Sequence, residues 1–327
     1  MKKKLRIFTS FLLIFILVIS AVSCSKKSDK TDSENEKTPI VRITTLNGTT
    51  GFGMACLMGY TDKYTVNVES DASVVTASLI KGETDIAALP TNAAASLYAK
   101  TGGGVKILAV NTLGVLYVVT NEENSNIKTL SDLEGRTVYC PAQNPTFIFK
   151  GLCSEAGVNV TVDNSFAQPA DLRAALISGQ VGIAVLPEPM VTIAQSKNSS
   201  LKVAVDITEE WNKVFPEKSL MQGCVVARTE FIENHPEQIK TFLDDYKSSI
   251  EFVNQKPEEA SVLIASNGIF DNATVAQKAI PKCNITFIDG EKMESSLGTF
   301  FSALYTINPQ SVGGTVPDSG IYYRTND

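Results

Sequence analysis

One short segment constrains this chain more than any other: Leu79–Pro90, LIKGETDIAALP, returns 97 residues later as Leu176–Pro187, LISGQVGIAVLP. Each copy reads as a helix stopped by a glycine, Gly82 or Gly179, that can take the left-handed cap conformation. A short buried strand follows, with a proline at its carboxyl end. One recurrence at that spacing is too sparse for a solenoid, which stacks three or more shorter units. The expectation is therefore two α/β halves of related design. Around the copies, β-branched runs alternate with helical stretches: VRITTL, YTVNVES, DIAALP and VKILAVNT, then RTVYCP, GIAVLP and LKVAVDI. That order implies parallel strands covered by helices on both faces.

The C-terminal region changes character. Helices are expected over Pro236–Asn254, Pro257–Asn267, Ala273–Ala279 and Gly290–Tyr305, with few strand signals among them. Leu220–Arg228 is the exception; together with Gly114–Thr120 it reads as a pair of chain crossings between the halves, a two-strand hinge. The expected organisation is a first part of lobe I over residues 39–116, lobe II over 117–222, and the return strand and C-terminal helices of lobe I over 223–327.

The N-terminus carries processing features. Lys2, Lys3, Lys4 and Arg6 precede the apolar run Phe11–Ile19, which is too short to span a bilayer. Ala21-Val22-Ser23-Cys24 resembles a bacterial lipobox, with residues 1–23 as signal peptide and Cys24 as the lipidated residue. Residues 24–38 then form a polar tether with no large apolar side chain to bury. No later segment is long and apolar enough to cross a membrane. This places the chain on the extracytoplasmic face of a bacterial cell membrane, held by its lipid anchor only.

A formal charge of −6 argues against nucleic acid as partner, since phosphate binding calls for a basic face. Beyond Cys24 stand Cys56, Cys140, Cys153, Cys224 and Cys283, an odd number without a CxxC pair, alongside a single histidine, His235. Zinc and redox motifs are absent from that pattern, and at least one thiol must be free. No metal and no cofactor are expected.

In open α/β sheets ligands sit beyond the carboxyl ends of strands, where helix N-termini present unpaired N–H groups. Four loops qualify. The first, Leu46-Asn47-Gly48-Thr49-Thr50-Gly51-Phe52, is rich in glycine and hydroxyls, and lacks both the GxGxxG spacing and the P-loop lysine of nucleotide sites. The second is Pro90-Thr91-Asn92, where Thr91 or Asn92 can cap a helix or reach a ligand. The third, Gln143-Asn144-Pro145-Thr146, puts a proline at the helix start and leaves amides and the Thr146 hydroxyl facing outward. The fourth, Pro187-Glu188-Pro189, brings a carboxylate that can pair with a ligand cation or serve its own helix. Phe52, Tyr117, Phe147 and Trp211 are aromatic candidates for stacking. Core packing is the safer reading of Phe147, Tyr117 falls in a crossing strand, and the polar setting of Trp211 reads as a lid.

Several of these segments together carry a family resemblance. They are the Leu46–Gly53 loop, GETDIAALPTNAAA, GQVGIAVLPEPMV, SDLEGRTVYCP, the helices of NHPEQIKTFLDDYKSSIEFVNQKPEEAS and the tail Asn308–Gly314. From about Pro39 to Tyr323 the chain resembles the importer solute-binding proteins that include nitrate, sulfonate, taurine and thiamine-precursor binders. The resemblance implies an α/β, two-lobed type II periplasmic-binding-protein-like fold, with mixed sheets flanked by helices, a two-strand hinge and a helical C-terminal region. It also implies a monomeric receptor for a small-molecule solute, partnered by the permease and ATPase subunits of an ABC importer. Where similar proteins often carry Lys-Gly-Pro-Thr in the first loop, this chain has Asn47-Gly48-Thr49-Thr50, and none of the four loops contains arginine. A neutral or cationic ligand is expected over a strongly anionic one.

Two other functions use the same clamp: an enzyme resembling pyrimidine-precursor synthases, and a ligand-sensing surface receptor. The synthase reading needs a catalytic histidine near a strand end, and His235 lies in ENHPEQ at a helix start. Capture and delivery without catalysis is the expected role.

Overall fold

The computed structural model describes Pro39–Pro216 and Ser219–Arg324. The signal segment, Cys24 and the tether lie outside the described residues. Eleven strands run through the described chain: β1 (Val41–Leu46), β2 (Tyr64–Glu69), β3 (Ile86–Pro90), β4 (Val105–Thr112), β5 (Leu116–Thr120), β6 (Thr137–Tyr139), β7 (Thr161–Asp163), β8 (Ile183–Pro187), β9 (Lys202–Asp206), β10 (Gly223–Arg228) and β11 (Ile285–Ile288). The larger sheet has the order β11-β4-β10-β3-β1-β2, and the smaller one reads β9-β5-β8-β6-β7.

The repeat is visible in this topology. β3 and β8 are its two strands, each buried along its first four residues, and each has a parallel neighbour on one side and an antiparallel one on the other. β1 and β2 correspond to β6 and β7, β10 to β5, and β4 to β9. Both copies enter their strand through a glycine at positive φ, Gly82 at 72° and Gly179 at 79°, where a residue with a Cβ would be strained. The helix before Gly82, Ala72–Lys81, starts at Asp71, whose carboxylate accepts from the Ser73 N–H.

Alternation of strand and helix in the sequence points to parallel pairing alone, and here the structure differs. β10 and β5 run antiparallel between their neighbours, so both sheets are mixed. The crossing segments also do not pair with each other as strands: β10 belongs to the larger sheet and β5 to the smaller. Leu113–Val115 spans the sheets on the first pass, and the return pass, which includes helix Ile207–Val214, enters β10 through Met221–Gln222. They are held side by side, with Val115 N–H donating to Gln222 Oε1 at 2.7 Å and Gln222 N–H to the Thr112 carbonyl at 3.0 Å. β11 was not legible in sequence, because four residues in a helical region give no periodicity to read.

The C-terminal helices form at Pro236–Gln255, Pro257–Ser266, Ala273–Ala279 and Gly290–Ile307. The last of these packs on helix Asn144–Glu155 at Gly151, where an added Cβ would overlap Ile307. One apolar interior thereby extends under both sheets. It takes in Leu89, Val110 and Cys224 from the larger, Leu116, Val118 and Val185 from the smaller, and Trp211, Phe300 and Phe301 from helices. A second core around Phe52, Phe242 and Tyr246 belongs to the larger sheet, and a third around Val119, Leu172 and Leu186 to the smaller.

The lid reading of Trp211 is overturned by this packing. Trp211 is fully buried, with Phe215 at 4.3 Å and Phe300 edge-on at 6.0 Å between ring centroids. Its helix, Ile207–Val214, is amphipathic, so the polar residues flanking Trp211 in sequence occupy the opposite face. All five described cysteines are free thiols and four are buried. Burial pushes the Cys140 and Cys153 thiols up to about 12, which keeps them protonated and inert.

Candidate functional site

Strand register brings the carboxyl ends of the two repeat strands to facing edges. Gly223 pairs with Pro90 on one side and Thr112 on the other, so Leu46, Pro90, Thr112 and Gly223 share one edge of the larger sheet. Leu116 pairs with Pro187 at one edge of the smaller sheet, and because Tyr139 pairs with Ala184 in parallel, the residues that follow β6 run toward that same edge. Only the four steps from Thr112 to Leu116 connect the two edges on the first crossing. A fully extended chain covers at most about 14 Å in that distance, which limits how far apart the edges stand where that crossing joins them.

The first loop reaches across the gap between the edges. Thr49 Oγ1 donates to the Glu188 carbonyl at 2.8 Å, joining two loops separated by 139 residues. The loop's glycines have separate reasons. Gly48 sits at φ 82°, whereas Gly51 and Gly53 are pressed against the Leu46 carbonyl and Ile250. Close packing, rather than approach of a ligand, demands the latter two. The expected helix start is a four-residue turn, Thr49–Phe52, and Asn47 is exposed. Phe52 is not a stacking platform: it is fully buried, edge-on to Phe270 at 6.0 Å, because it faces the helices behind the sheet.

In the second loop Thr91 is fully buried and tied to the second crossing. Its hydroxyl donates to the Met221 carbonyl at 2.6 Å and its N–H to the Gln222 carbonyl at 3.2 Å. These bonds fasten the second crossing to the end of β3. Asn92, beside it, has a buried Oδ1 with no hydrogen-bond partner within the protein.

In the third loop Gln143 is exposed and holds φ 64°, a conformation that costs a non-glycine residue about 1 kcal/mol or more. Asn144 then opens helix Asn144–Glu155, with Pro145 second, and is only 9% exposed with its Oδ1 unpartnered. Thr146 corrects the expectation of an outward hydroxyl. Its Oγ1 donates to the Pro141 carbonyl and accepts from Asn164 Nδ2, both at 2.7 Å, closing the loop on itself. Phe147 is half-buried rather than core.

Glu188, in the fourth loop, is 2% exposed and serves its own helix, Met190–Lys197: Oε2 accepts from the Thr192 N–H at 3.1 Å and Oε1 from the Thr192 hydroxyl at 3.0 Å. Burial pushes its carboxyl above the usual range, opposed by the Thr192 hydrogen bonds and the charge of Lys282. Tyr117 braces the hinge from outside, its hydroxyl donating to the Lys282 carbonyl at 3.2 Å; burial likewise raises its phenol.

Several residues of this region escaped sequence reasoning. Asn284, at φ 43°, straps the first crossing: Nδ2 donates to the Gly114 carbonyl at 2.6 Å and its carbonyl accepts from Leu113 N–H at 3.1 Å. Asn111 donates to the Tyr246 hydroxyl at 3.0 Å and accepts from Thr112 Oγ1 at 3.0 Å. Gly223 makes room for it, since an added Cβ would come within 2.5 Å of Asn111 Oδ1. Thr208 packs against Gly114 with its buried hydroxyl unpartnered. The available signal was the polar pair Asn111-Thr112 closing an otherwise apolar strand.

Two mixed α/β sheets with facing carboxyl edges and two short crossings define the periplasmic-binding-protein fold, and solved structures of that fold superpose closely. An ABC transporter protein from Parabacteroides distasonis is 24% identical, covers 87% of this chain and 99% of its own, and has a TM-score of 0.75. The periplasmic aliphatic sulphonate binding protein SsuA from Escherichia coli is 16% identical over 88% and 93%, with a TM-score of 0.70. The ligand binding component of an ABC-type import system from Staphylococcus aureus is 14% identical over 88% and 97%, with a TM-score of 0.64. No curated protein matches the sequence. Residues 63–260 match the family model described as NMT1/THI5 like, and the chain belongs to that family.

Proposed function

We propose that this chain captures a small solute between the two facing sheet edges and delivers it, as a monomer, to the permease and ATPase subunits of an ABC importer. The observation that carries the reading is the contact of Thr49 with the Glu188 carbonyl, because it joins a strand-end loop of one sheet to a strand-end loop of the other. A receptor of this kind works by closing: a solute that touches both edges has more contacts in the closed arrangement and shifts the population toward it. Similar folds named for ABC import and for sulphonate binding support the role.

Catalysis is not part of the proposal. β10 runs antiparallel to β3, so its carboxyl end, Arg228, pairs with Val105 at the far edge of the larger sheet. His235 follows that end, packed against Phe231 with ring centroids 4.8 Å apart. The histidine thus falls beyond the edge opposite the gap, where it has no route to a bound solute.

A thermal-shift screen of metabolites tests capture. A true ligand at 100 times its dissociation constant stabilises the protein by about 2.7 kcal/mol, and small-angle scattering should then show a more compact particle. A broad metabolite library without any hit would end the reading. Anchoring through Cys24 is proposed from the sequence pattern alone; a Cys24→Ala variant should leave the membrane fraction, and one that stays there argues against a lipid anchor.

A further inference from the structure

We infer that the solute is uncharged where it enters the gap, that it offers N–H or O–H donors, and that Asn144 receives it. This names the ligand class of the site proposed above and rests on that reading. The loops on the facing edges, residues 46–53, 90–92, 112–115, 140–146, 187–190, 206–208 and 221–223, contain no lysine, arginine or histidine. Their two acids are occupied within their own loops. Glu188 accepts from Thr192, and Asp206 accepts from the Thr208 N–H at 2.8 Å and the Glu209 N–H at 3.2 Å. Lys282, which lies near Glu188, offsets part of that buried negative charge and is itself exposed. A full negative charge on the solute would meet no cation on these loops themselves, where Arg173 reaches in only from its helix to Met190 Sδ at 3.1 Å, and a full positive charge would have to take a carboxylate from a helix cap.

Neutral polar groups are what these edges do offer. Five buried side-chain polar atoms among the described residues have no partner within the protein, and three of them lie on these loops: Asn92 Oδ1, Asn144 Oδ1 and Thr208 Oγ1. Each such atom costs a folded protein about 1–3 kcal/mol unless something pairs with it. Their concentration on two facing edges suits partners from outside the chain, water in the empty receptor and solute in the filled one. Two of the three are carboxamide oxygens, which accept, and each sits beside an NH2 group that donates, so a partner able to do both fits them.

Asn144 is the strongest of the three. It is nine-tenths buried and opens the twelve-residue helix Asn144–Glu155, whose first-turn N–H groups are also free of helical partners. An acceptor beside backbone donors suits a group that donates and accepts at once, such as a carboxamide, a ureide or a vicinal diol. A sulfonate has acceptors only and would leave Asn144 Oδ1 without a partner.

The experiment pairs two panels on the purified full chain by thermal shift and calorimetry: uncharged amides, ureides and polyols against sulfonates, sulfate and carboxylates. Stabilisation by members of the uncharged panel alone is expected. Asn144→Leu should then weaken the best of them about tenfold, the loss of a hydrogen bond to a buried group, while the ligand-free melting temperature stays level or rises. A rise fits because the variant removes an unpaired polar atom. Asn144→Asp keeps an acceptor at a helix N-terminus that favours it and should retain binding better than Asn144→Leu. Stabilisation by the anions alone would overturn the ligand class and leave capture standing. No stabilisation by either panel would overturn the class and capture together. An Asn144→Leu variant that melts lower but binds unchanged would show Asn144 to be structural and overturn its assignment.

Discussion

At the seventh position of the repeat the two copies part company, with Asp85 in the first and Gly182 in the second. Asp85 is a buried junction: Oδ2 accepts from the Arg42 N–H at 3.0 Å and from Arg42 Nε at 2.9 Å, and Arg228 Nη2 reaches Oδ1 at 3.1 Å. Gly182 instead leaves space for the side-chain pair Asn121–Asn124; an added Cβ would stand 2.5 Å from Asn124 Nδ2. Desolvation pushes the Asp85 carboxyl upward, yet the hydrogen bonds from Arg42 and Arg228 outweigh it and hold the group below the ordinary range. Because the folded value is depressed, this stabilisation is complete above the unfolded value of about 3.9 and is lost as pH falls through the folded one. Urea unfolding of the native chain should therefore weaken below about pH 4. Asp85→Asn should flatten that limb and, by removing the charge that Arg42 and Arg228 share while Arg228 keeps Glu230, cost about 1–3 kcal/mol at neutral pH. An equally steep acid limb in the variant would assign the loss to other carboxylates.

The packing of helix Asn144–Glu155 against Gly290–Ile307 turns on one missing methyl group. Alanine favours a helix over glycine by about 1 kcal/mol, so Gly151→Ala would ordinarily stabilise. Here the new Cβ overlaps Ile307, and a net loss of about 1–3 kcal/mol is expected. Pairing it with Ile307→Ala should recover part of the loss, and chemical denaturation of the double variant checks the coupling. The same element shows what sequence could and could not disclose. The strand-end loops were legible because glycine, proline and a short apolar run are local signals, and the C-terminal helices because their apolar period and caps are local too. Trp211 was misread because its neighbours in sequence are polar while its neighbours in space, Phe215 and Phe300, are not. Gln222 and Asn284 had no local signal, and Asn111 only its polar place at a strand end, since their partners Val115, Gly114 and Tyr246 come from distant segments. Thr91 was noticed for its position, but its bond to Met221 makes it part of the hinge.

Across the whole molecule, the gap is bounded by two kinds of attachment. On the hinge side Gln222, Thr91, Asn284 and Tyr117 fix the crossings, and between the loops Thr49 bonds to Glu188. Thr49→Val removes the hydroxyl at nearly constant volume. The ligand-free variant should show a larger radius of gyration in solution scattering. It should also bind a solute found by screening about fivefold more weakly, as expected for one lost hydrogen bond of about 1 kcal/mol. Identical scattering and affinity would mean that the contact plays no part in closure.

The apolar interior common to both sheets carries a further consequence. Val110 and Leu116 stand on either side of the first crossing yet belong to one buried cluster, together with Trp211 and Phe300. Neither half can come apart without exposing oily surface of the other, so heating should produce a single calorimetric peak. Under the proposed capture role this arrangement separates two demands: the seam at the back melts only with everything else, while the strand-end loops at the front could part without unravelling it.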